Sequence, residues 1–558
     1  MARKKSIPPK TAKAPPVVAE AISAPAKALR FPYVPPWVWM LFIALVVVGL
    51  RWVLIDFPLE RDESAYAYLG KQAWSGKLPY RDYYEMKPPL LYYAYGFFNA
   101  VFGYSHRGMH LALMAISIWN AVWLFVIGRM WGNQTLGLVA AVVYAVLSAH
   151  PYMSGLNNKA EHMVIALLLP AVWMTEQALQ KDNIKLLLGS SVLLGALPMI
   201  KQTALVFSAG GLLWVALWFL RQEHRKGLLK NAGLFITGLL IPGLLTLLFL
   251  WAMGVGEEAR FWLWEYPRTY TSSVSEEDGR TMLSFSFKRI TGDYEVYFLV
   301  AVLGLLGLWL SKLKWQAKGV ITALLLLAIP TIFPGRRFYG HYWLLLLPGL
   351  ALLFGAAFYM LQNWISNSSK NSIATILVTA AGITIALYHP MTHARQYWSP
   401  DIDQLVEYAF PGNPFNIHRK LADIAKPLMQ EGDEFAVFGS EPEYYVYLNR
   451  NSPTRHFYTS MTSRPSPYSK GWQEEAWQDI LKKKPKYVVF CHHPFSWMMK
   501  PDSDRILLDK TYYMVYTDYQ PIAFAEVSGN APYRIISGQE ALTFKPSTDK
   551  YFGLYVRK

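Results

Sequence analysis

Asp62 and Glu63 stand side by side in a stretch, residues 60–102, that reads ERDESAYAYLGKQAWSGKLPYRDYYEMKPPLLYYAYGFFNAVF. Asp82, Glu85 and Lys87 follow in the same stretch, the lysine directly before Pro88-Pro89. A carboxylate can take the proton of an attacking hydroxyl, and a nearby cation can hold a phosphate and stabilise the charge it acquires on leaving. The stretch comes straight after the first membrane-length apolar run, 37–55, and is rich in tyrosine. Charges beside a bilayer and bracketed by aromatics read as an interfacial reaction site; the plainer reading is a solvated loop with interfacial tyrosines.

The rest of the chain must position that stretch in a membrane. Of 558 residues, 53% are hydrophobic and 21 are tryptophan, too apolar for one soluble fold. The formal charge of +16 could suggest nucleic acid. The basic residues, however, sit in short clusters between apolar runs, as an anionic cytoplasmic leaflet selects, so no nucleic-acid partner is expected. The single cysteine, Cys491, excludes a disulfide framework and a cysteine-based metal site.

Residues 1–36 are rich in Pro, Ala and Lys and read as a disordered, basic, cytoplasmic tail. The run 37–55 is too long for a signal-peptide core, so it reads as the first span. Residues 56–107 then form the first extracytoplasmic loop. Its apolar segment 88–102 starts at proline and is full of tyrosine, which reads as a helix lying in the interface. Further spans are expected over 108–130, 136–149 and 162–179, then a re-entrant pair over 186–199 and 203–220 that bends near Lys201. The remainder fall over 232–253, 294–310, 320–333, 343–361 and 373–388, giving about eleven membrane helices. With this parity the clusters at Lys181 and Lys185, 221–230, Lys312–Lys318 and Lys370 all face the cytoplasm. Treating 88–102 as a span would move the densest of them, RQEHRKGLLK, to the opposite side.

Other charged residues fall at the outer ends of spans: Lys159 and Glu161, Lys201, and Arg336, Arg337 and His341. Such groups at membrane depth usually face a cavity and pair with something, although each alone reads more readily as a headgroup anchor. Together with Lys87 they gather cations on the face that holds Asp62 and Glu63.

After Pro390 the composition becomes that of a soluble domain, 391–558, placed outside. EFAVFGS (434–440) and KYVVFC (486–491) read as short buried strands, with helices over 442–448 and 472–481. His492 and His493 beside Cys491 have no second ligand cluster at a recognisable spacing. The sequence has neither GxGxxG nor GxxxxGK[ST], so no cytosolic nucleotide sugar is bound by such a loop, and there is no GxSxG.

DESAYAYLG, followed by GKLPYRDYYEMKPPLLYY, resembles the first outer loop of the GT-C membrane glycosyltransferases, in the branch of protein O-mannosyltransferases and lipid A aminoarabinose transferases. SGLNNKAEHM, GALPMIKQTA and RRFYGHYWLLLLP are similar to later outer turns of the same group, so the likeness runs to about Pro390. The resemblance implies a polytopic α-helical GT-C fold with a small extracytoplasmic α/β domain. It also implies an inner-membrane enzyme using a polyprenyl-phosphate sugar donor, with inverting transfer to a lipid, glycan or protein acceptor.

Carried onto this chain, Asp62 is the implied base or acceptor-orienting carboxylate, and Glu63 is implied to support it or to help hold a divalent metal. Lys87 is the implied contact to the donor phosphate, joined by Lys201, Arg336, Arg337 and His341. Asp82, Tyr83, Tyr84, Glu85 and Glu161 are placed at the acceptor or sugar. Glu85 lies near a position where some relatives hold a divalent metal, but Met86 separates it from the lysine. Met86, and Ser64-Ala65 after the acidic pair, depart from the aminoarabinose branch and count against that donor. A transporter or flippase of lipid-linked saccharides is the alternative. Transporters often carry internal repeats, and none is visible in this sequence.

Overall fold

In a computed structural model of the chain, the described residues are all but 1–33, 221–227, 272–273, 369–371, 414 and 528–532. Most of the expected cytoplasmic tail and the core of the basic RQEHRKGLLK loop lie outside them.

Six described helices are long and apolar enough to cross a membrane, and five shorter apolar helices accompany them. The first nine helices are α1 (Pro36–Arg51), α2 (Arg61–Trp74), α3 (Pro89–Phe102), α4 (His106–Trp131), α5 (Gln134–Leu147), α6 (Ala160–Lys181), α7 (Ile184–Ile200), α8 (Leu205–Phe219) and α9 (Leu228–Ala252). Later apolar helices cover Glu295–Leu310, Trp315–Ala328, Leu347–Ser368 and Ser372–Ala386.

Helix α5 is the axis of the bundle, with every residue from Thr135 to Leu147 buried. Its approach to α4 depends on two glycines: a Cβ on Gly128 would lie 2.5 Å from the Gly137 Cα. Small residues at such crossings let backbones meet where lipid supplies no hydrophobic drive. The segment expected as an interfacial helix is α3. It starts at Pro89, where the missing N–H costs nothing, and stops at Gly103, whose φ of 94° suits glycine. The expected re-entrant pair is α7 and α8, with Lys201 at the bend between them and α7 packed between α6 and α9.

The sequence reading did not foresee α2. Glu60 caps it, accepting from the Asp62 and Glu63 backbone N–H groups at 3.0 and 3.3 Å, and two acidic residues in its first turn complement the helix dipole. This helix carries the acidic pair on a rigid element.

The sheet domain has strands β1 (Phe435–Phe438), β2 (Tyr487–His492), β3 (Tyr519–Glu526), β4 (Arg534–Ser537) and β5 (Tyr551–Arg557). Their order is β1-β2-β5-β3-β4, parallel between the first two and antiparallel elsewhere. The strands read at 434–440 and 486–491 are β1 and β2, and the helices read beside them are Glu443–Tyr447 and Ser469–Lys483. The other three strands alternate too weakly to have stood out in the sequence.

The domain sits directly on α2. Arg61 donates to the Ser440 carbonyl at 3.0 Å, to Asn413 Oδ1 at 2.7 Å and to Glu441 Oε1 at 3.1 Å. The Leu59 N–H donates to the Tyr447 hydroxyl at 2.8 Å, and the Ser452 N–H to the Tyr68 hydroxyl at 2.9 Å. Behind Arg61, Glu443 and His418 are fully buried and meet at 2.5 Å. Burial raises the Glu443 carboxyl to about 8 and lowers His418 to about 3, so both are neutral in the folded protein at neutral pH.

This pair gives a stability prediction. A carboxyl raised from 4.5 to about 8 on folding contributes stability that is complete below about pH 4.5 and is lost as pH rises through about 8. The loss is up to about 5 kcal/mol at 1.36 kcal/mol per unit. Below about pH 6.5 the lowered His418 pulls stability the other way, so the melting temperature is expected to fall between about pH 6.5 and 9. Glu443→Gln, neutral throughout, is expected to flatten that slope; an equal slope in both proteins would assign the pH dependence elsewhere.

Candidate active site

A polar cavity of about 320 Å³ opens where α2, the Tyr83–Pro88 loop, the Tyr339–Tyr342 turn and the sheet domain meet. Asp62, Glu60, Lys159, Glu85, Lys87, His341, Tyr458 and Arg464 line it. A second cavity, about 460 Å³ and mostly apolar, adjoins it and shares Ser154, Tyr339, Gly340, Phe410 and Asn413.

Lys159 organises the floor. Its ammonium donates to both oxygens of Glu60, at 2.7 and 2.6 Å, and to Asp62 Oδ2 at 3.0 Å. Lys159 is itself only 2% exposed, whereas the Asp62 side chain keeps 31% of its surface open. Burial works to raise both carboxyls. At Asp62 the nearby Lys159, with Lys87 beyond it, overcomes burial and holds the group well below the usual carboxylate range. At Glu60 burial prevails over Lys159, and the carboxyl rises to about 7. The two share one cation, and Asp62 is the member that stays ionised. Both Glu60 oxygens are spent on the α2 cap and on Lys159, so Asp62 is the carboxylate free to meet a substrate.

Across the cavity Lys87 Nζ lies 3.6 Å from Glu85 Oε1. The Tyr80 and Tyr92 hydroxyls pin the lysine backbone by donating to its carbonyl at 2.8 and 2.7 Å. Burial raises the Glu85 carboxyl, and Lys87 offsets part of that. Among the described residues Glu85 belongs to no group of three His, Cys, Asp or Glu side chains close enough to share an ion. Arg464 enters from the sheet domain, its guanidinium 5.0 Å from the centre of the Tyr270 ring.

The residues singled out in the sequence separate into those that face this cavity and those that do not. Asp62, Glu85, Lys87 and His341 line it. Glu63 points the other way and is fully buried, accepting from Asn157 Nδ2 at 3.0 Å and from the Asn158 N–H at 2.8 Å, with His110 Nε2 at 3.4 Å. It locks α2 to the segment before α6. Lys201 and Glu161 pair with each other, and Lys201 lies over the Tyr342 ring, 4.2 Å from its centre. Arg337 lines the apolar cavity, its guanidinium 4.1 Å from the Tyr270 ring centre. Arg336 is exposed and packs beside Gly279. Asp82 closes a turn by accepting from the Leu78 N–H at 2.8 Å. Tyr83 is buried, and Tyr84 stacks on Trp262 at 4.0 Å and hydrogen-bonds His456. Neither tyrosine lines the cavity. They brace the loop that presents Lys87.

Sequence reasoning missed Glu60, Tyr458 and Arg464. Glu60 carried little signal, because glutamate is not among the usual capping residues and the run after it has no clean apolar stripe. Arg464 and Tyr458 lie far along the chain in a segment without periodicity, and only the docking of the domain brings them here.

Residues 86–251 match the family described as dolichyl-phosphate-mannose-protein mannosyltransferase. No curated protein matches the chain. Among solved structures, ArnT from Cupriavidus metallidurans in the apo state superposes with a TM-score of 0.54 at 12% identity, covering 91% of this chain and 99% of that one. The same enzyme bound to undecaprenyl phosphate gives 0.53 at 12% identity with the same coverage. The oligosaccharyltransferase AglB from Archaeoglobus fulgidus is more distant, with a TM-score of 0.46 at 11% identity, covering 90% of this chain and 74% of that one. The helical bundle, the helices α2 and α3 and the appended sheet domain together give this chain the fold seen in ArnT.

Proposed function

We propose that the protein is a glycosyltransferase that moves a sugar from a polyprenyl-phosphate donor to a hydroxyl of a lipid, glycan or protein acceptor. The observation that carries this reading is the cavity in which Asp62, kept anionic by Lys159, faces Lys87, His341 and Arg464. The similar ArnT structure bound to undecaprenyl phosphate and the family match over 86–251 support the donor class.

In the proposed step the acceptor oxygen attacks the anomeric carbon from the face opposite the phosphate. The bond from that carbon to the phosphate oxygen breaks, and its electron pair leaves with the polyprenyl phosphate. The acceptor proton passes to Asp62. A carboxylate held this low is a weak base in the ground state, yet it is always in its base form. The acceptor hydroxyl becomes far more acidic as its oxygen turns positive, so even this weak base can take the proton late in the attack. Lys87 and Arg464 offset the charge on the departing phosphate, while His341, which burial lowers to about 3 and so keeps neutral, can donate it a hydrogen bond. One attack from the opposite face inverts the anomeric configuration. The adjoining apolar cavity, with Arg289 and Arg337 in its lining, is a suitable entry for a lipid chain.

The arrangement of basic residues supports a plasma-membrane orientation with the N-terminus in the cytoplasm and the sheet domain outside. The sugar and acceptor groups would then be met on the extracytoplasmic face.

Binding of the leaving group tests this reading. Undecaprenyl phosphate is expected to raise the melting temperature of the purified protein and to compete with donor. Lys87→Ala is expected to weaken that binding by about tenfold, a loss of ~1.4 kcal/mol, consistent with one charge-assisted contact. Equal binding by wild type and Lys87→Ala would make Lys87 an interfacial anchor. No binding by the wild type would remove the polyprenyl-phosphate donor from the account.

A further inference from the structure

A second group of chemically capable side chains lies outside the cavity. His389 belongs to the short helix Tyr388–Thr392 that leads from the last apolar helix toward the sheet domain, and His393 is the next residue after it. Their spacing of four puts both imidazoles on one face of a helical turn. Asp293 comes from the turn Gly292–Tyr294, immediately before the membrane helix Glu295–Leu310. One ligand atom from each of the three lies within 4.8 Å of the others, and His393 Nε2 is 4.0 Å from Asp293 Oδ2.

The two imidazoles are already oriented by their other nitrogens. His389 Nδ1 is 3.0 Å from the Tyr397 hydroxyl, and His393 Nδ1 is 2.9 Å from Thr392 Oγ1. Metal-bound histidines are commonly fixed in this way through the nitrogen that does not touch the metal. The remaining nitrogen of His389, Nε2, is buried with no hydrogen-bond partner, and the residue is 0% exposed. A buried polar atom without a partner is unusual and asks for one.

Packing explains part of the arrangement. His150, Tyr294, His389 and His393 form a stacked column, with centroid separations of 3.9, 3.8 and 4.3 Å. Stacking accounts for the parallel rings, but not for a carboxylate beside His393 Nε2 or for the unpartnered Nε2 of His389.

We propose that Asp293, His389 and His393 form a binding site for a first-row divalent transition ion of the zinc class. Two imidazoles and one carboxylate suit such an ion and not magnesium or calcium, which prefer all-oxygen shells. Bonds of about 2.0–2.2 Å require ligand atoms no more than about 4 Å apart. The exposed partners provide that adjustment, because the Asp293 and His393 side chains keep 57% and 35% of their surface. The ion would fasten the lead-in to the sheet domain onto the start of a membrane helix, and so hold the domain, with its Arg464, over the cavity. It has no part in the proposed transfer step.

Isothermal titration of the full-length, tag-free, chelator-treated protein in detergent tests the site. One Zn²⁺ per chain is expected at micromolar affinity or tighter, with no binding of Mg²⁺ at the same concentration. His393→Ala and Asp293→Asn each alter a partly exposed side chain and are expected to weaken Zn²⁺ binding at least tenfold while leaving circular dichroism and metal-free melting unchanged. Zn²⁺ is expected to raise the melting temperature of wild type and of Asp62→Asn, and not of His393→Ala. Absence of stoichiometric binding by wild type would overturn the proposal. So would binding that persists unchanged in His393→Ala, or binding that disappears in Asp62→Asn, because either places the metal elsewhere.

Discussion

Asp62→Asn is expected to lower transfer by about a thousandfold, in the middle of the range measured for loss of a positioned general base. The amide occupies the same space and can still meet Lys159, but it cannot take the acceptor proton. Folding should survive, because the α2 cap rests on Glu60 and the helix is held to the bundle by Glu63 and to the domain by Arg61. A folded protein with modestly lowered melting, since the ionised Asp62 beside Lys159 contributes stability at neutral pH, and transfer near zero are therefore the expected pair of results. Glu85→Gln gives the contrast. If Glu85 rather than Asp62 accepted the proton, its substitution would produce the larger loss, and the base assignment would move across the cavity to the carboxylate beside Lys87.

Lys159→Met is expected to be the most damaging change to stability, at ~3–5 kcal/mol, as found when one partner of a buried ion pair is removed. The methionine fills the space, but Glu60 and Asp62 would be left facing each other without their shared cation. Glu60→Gln introduced with Lys159→Met should restore part of the stability, since one of the two uncompensated carboxyls is then gone. A double-mutant cycle measures that coupling. The same variant changes the pH profile in a defined direction. Without Lys159 the Asp62 carboxyl rises, so its base form is present only at higher pH. The acid limb of residual transfer should therefore move upward. An unmoved acid limb would mean that Lys159 does not set the ionisation of Asp62.

Membrane helices were the most legible part of the sequence, because in lipid the backbone must satisfy its own hydrogen bonds and long apolar runs have few alternatives. Lys/Arg bookkeeping kept the segment at α3 out of the span count, and α3 stands in the structure as a fourteen-residue helix beside α2. Helix α2 escaped notice because its residues mix charge, tyrosine and alanine without a clean apolar stripe. Its stability comes from the Glu60 cap and from contacts on both sides.

The candidate site was legible where charge and position coincide. Asp62 and Lys87 sit beside a membrane run in a motif of restricted spacing, and both face the cavity. Glu63 shows the limit of that reasoning. Adjacent residues on a helix point about 100° apart, so one carboxylate of a neighbouring pair reaches the cavity while the other meets Asn157 and Asn158. Lys201 and Glu161 were each conspicuous as charges at membrane depth, but no sequence rule said that they would neutralise each other. Arg464 could not have been placed at all, since its position follows from the docking of the sheet domain through Arg61, Tyr68 and Tyr447.

The most direct measurement is transfer of label from a panel of polyprenyl-phosphate sugars by purified wild-type protein, with lipid, glycan and protein acceptors supplied together. Asp62→Asn is run beside it, and the anomeric configuration of any product is determined by NMR. The account predicts label in one acceptor class with wild type alone, release of polyprenyl phosphate in equal amount, and an inverted linkage. A retained linkage, or equal transfer by folded Asp62→Asn, would contradict a single attack assisted by Asp62 in this cavity.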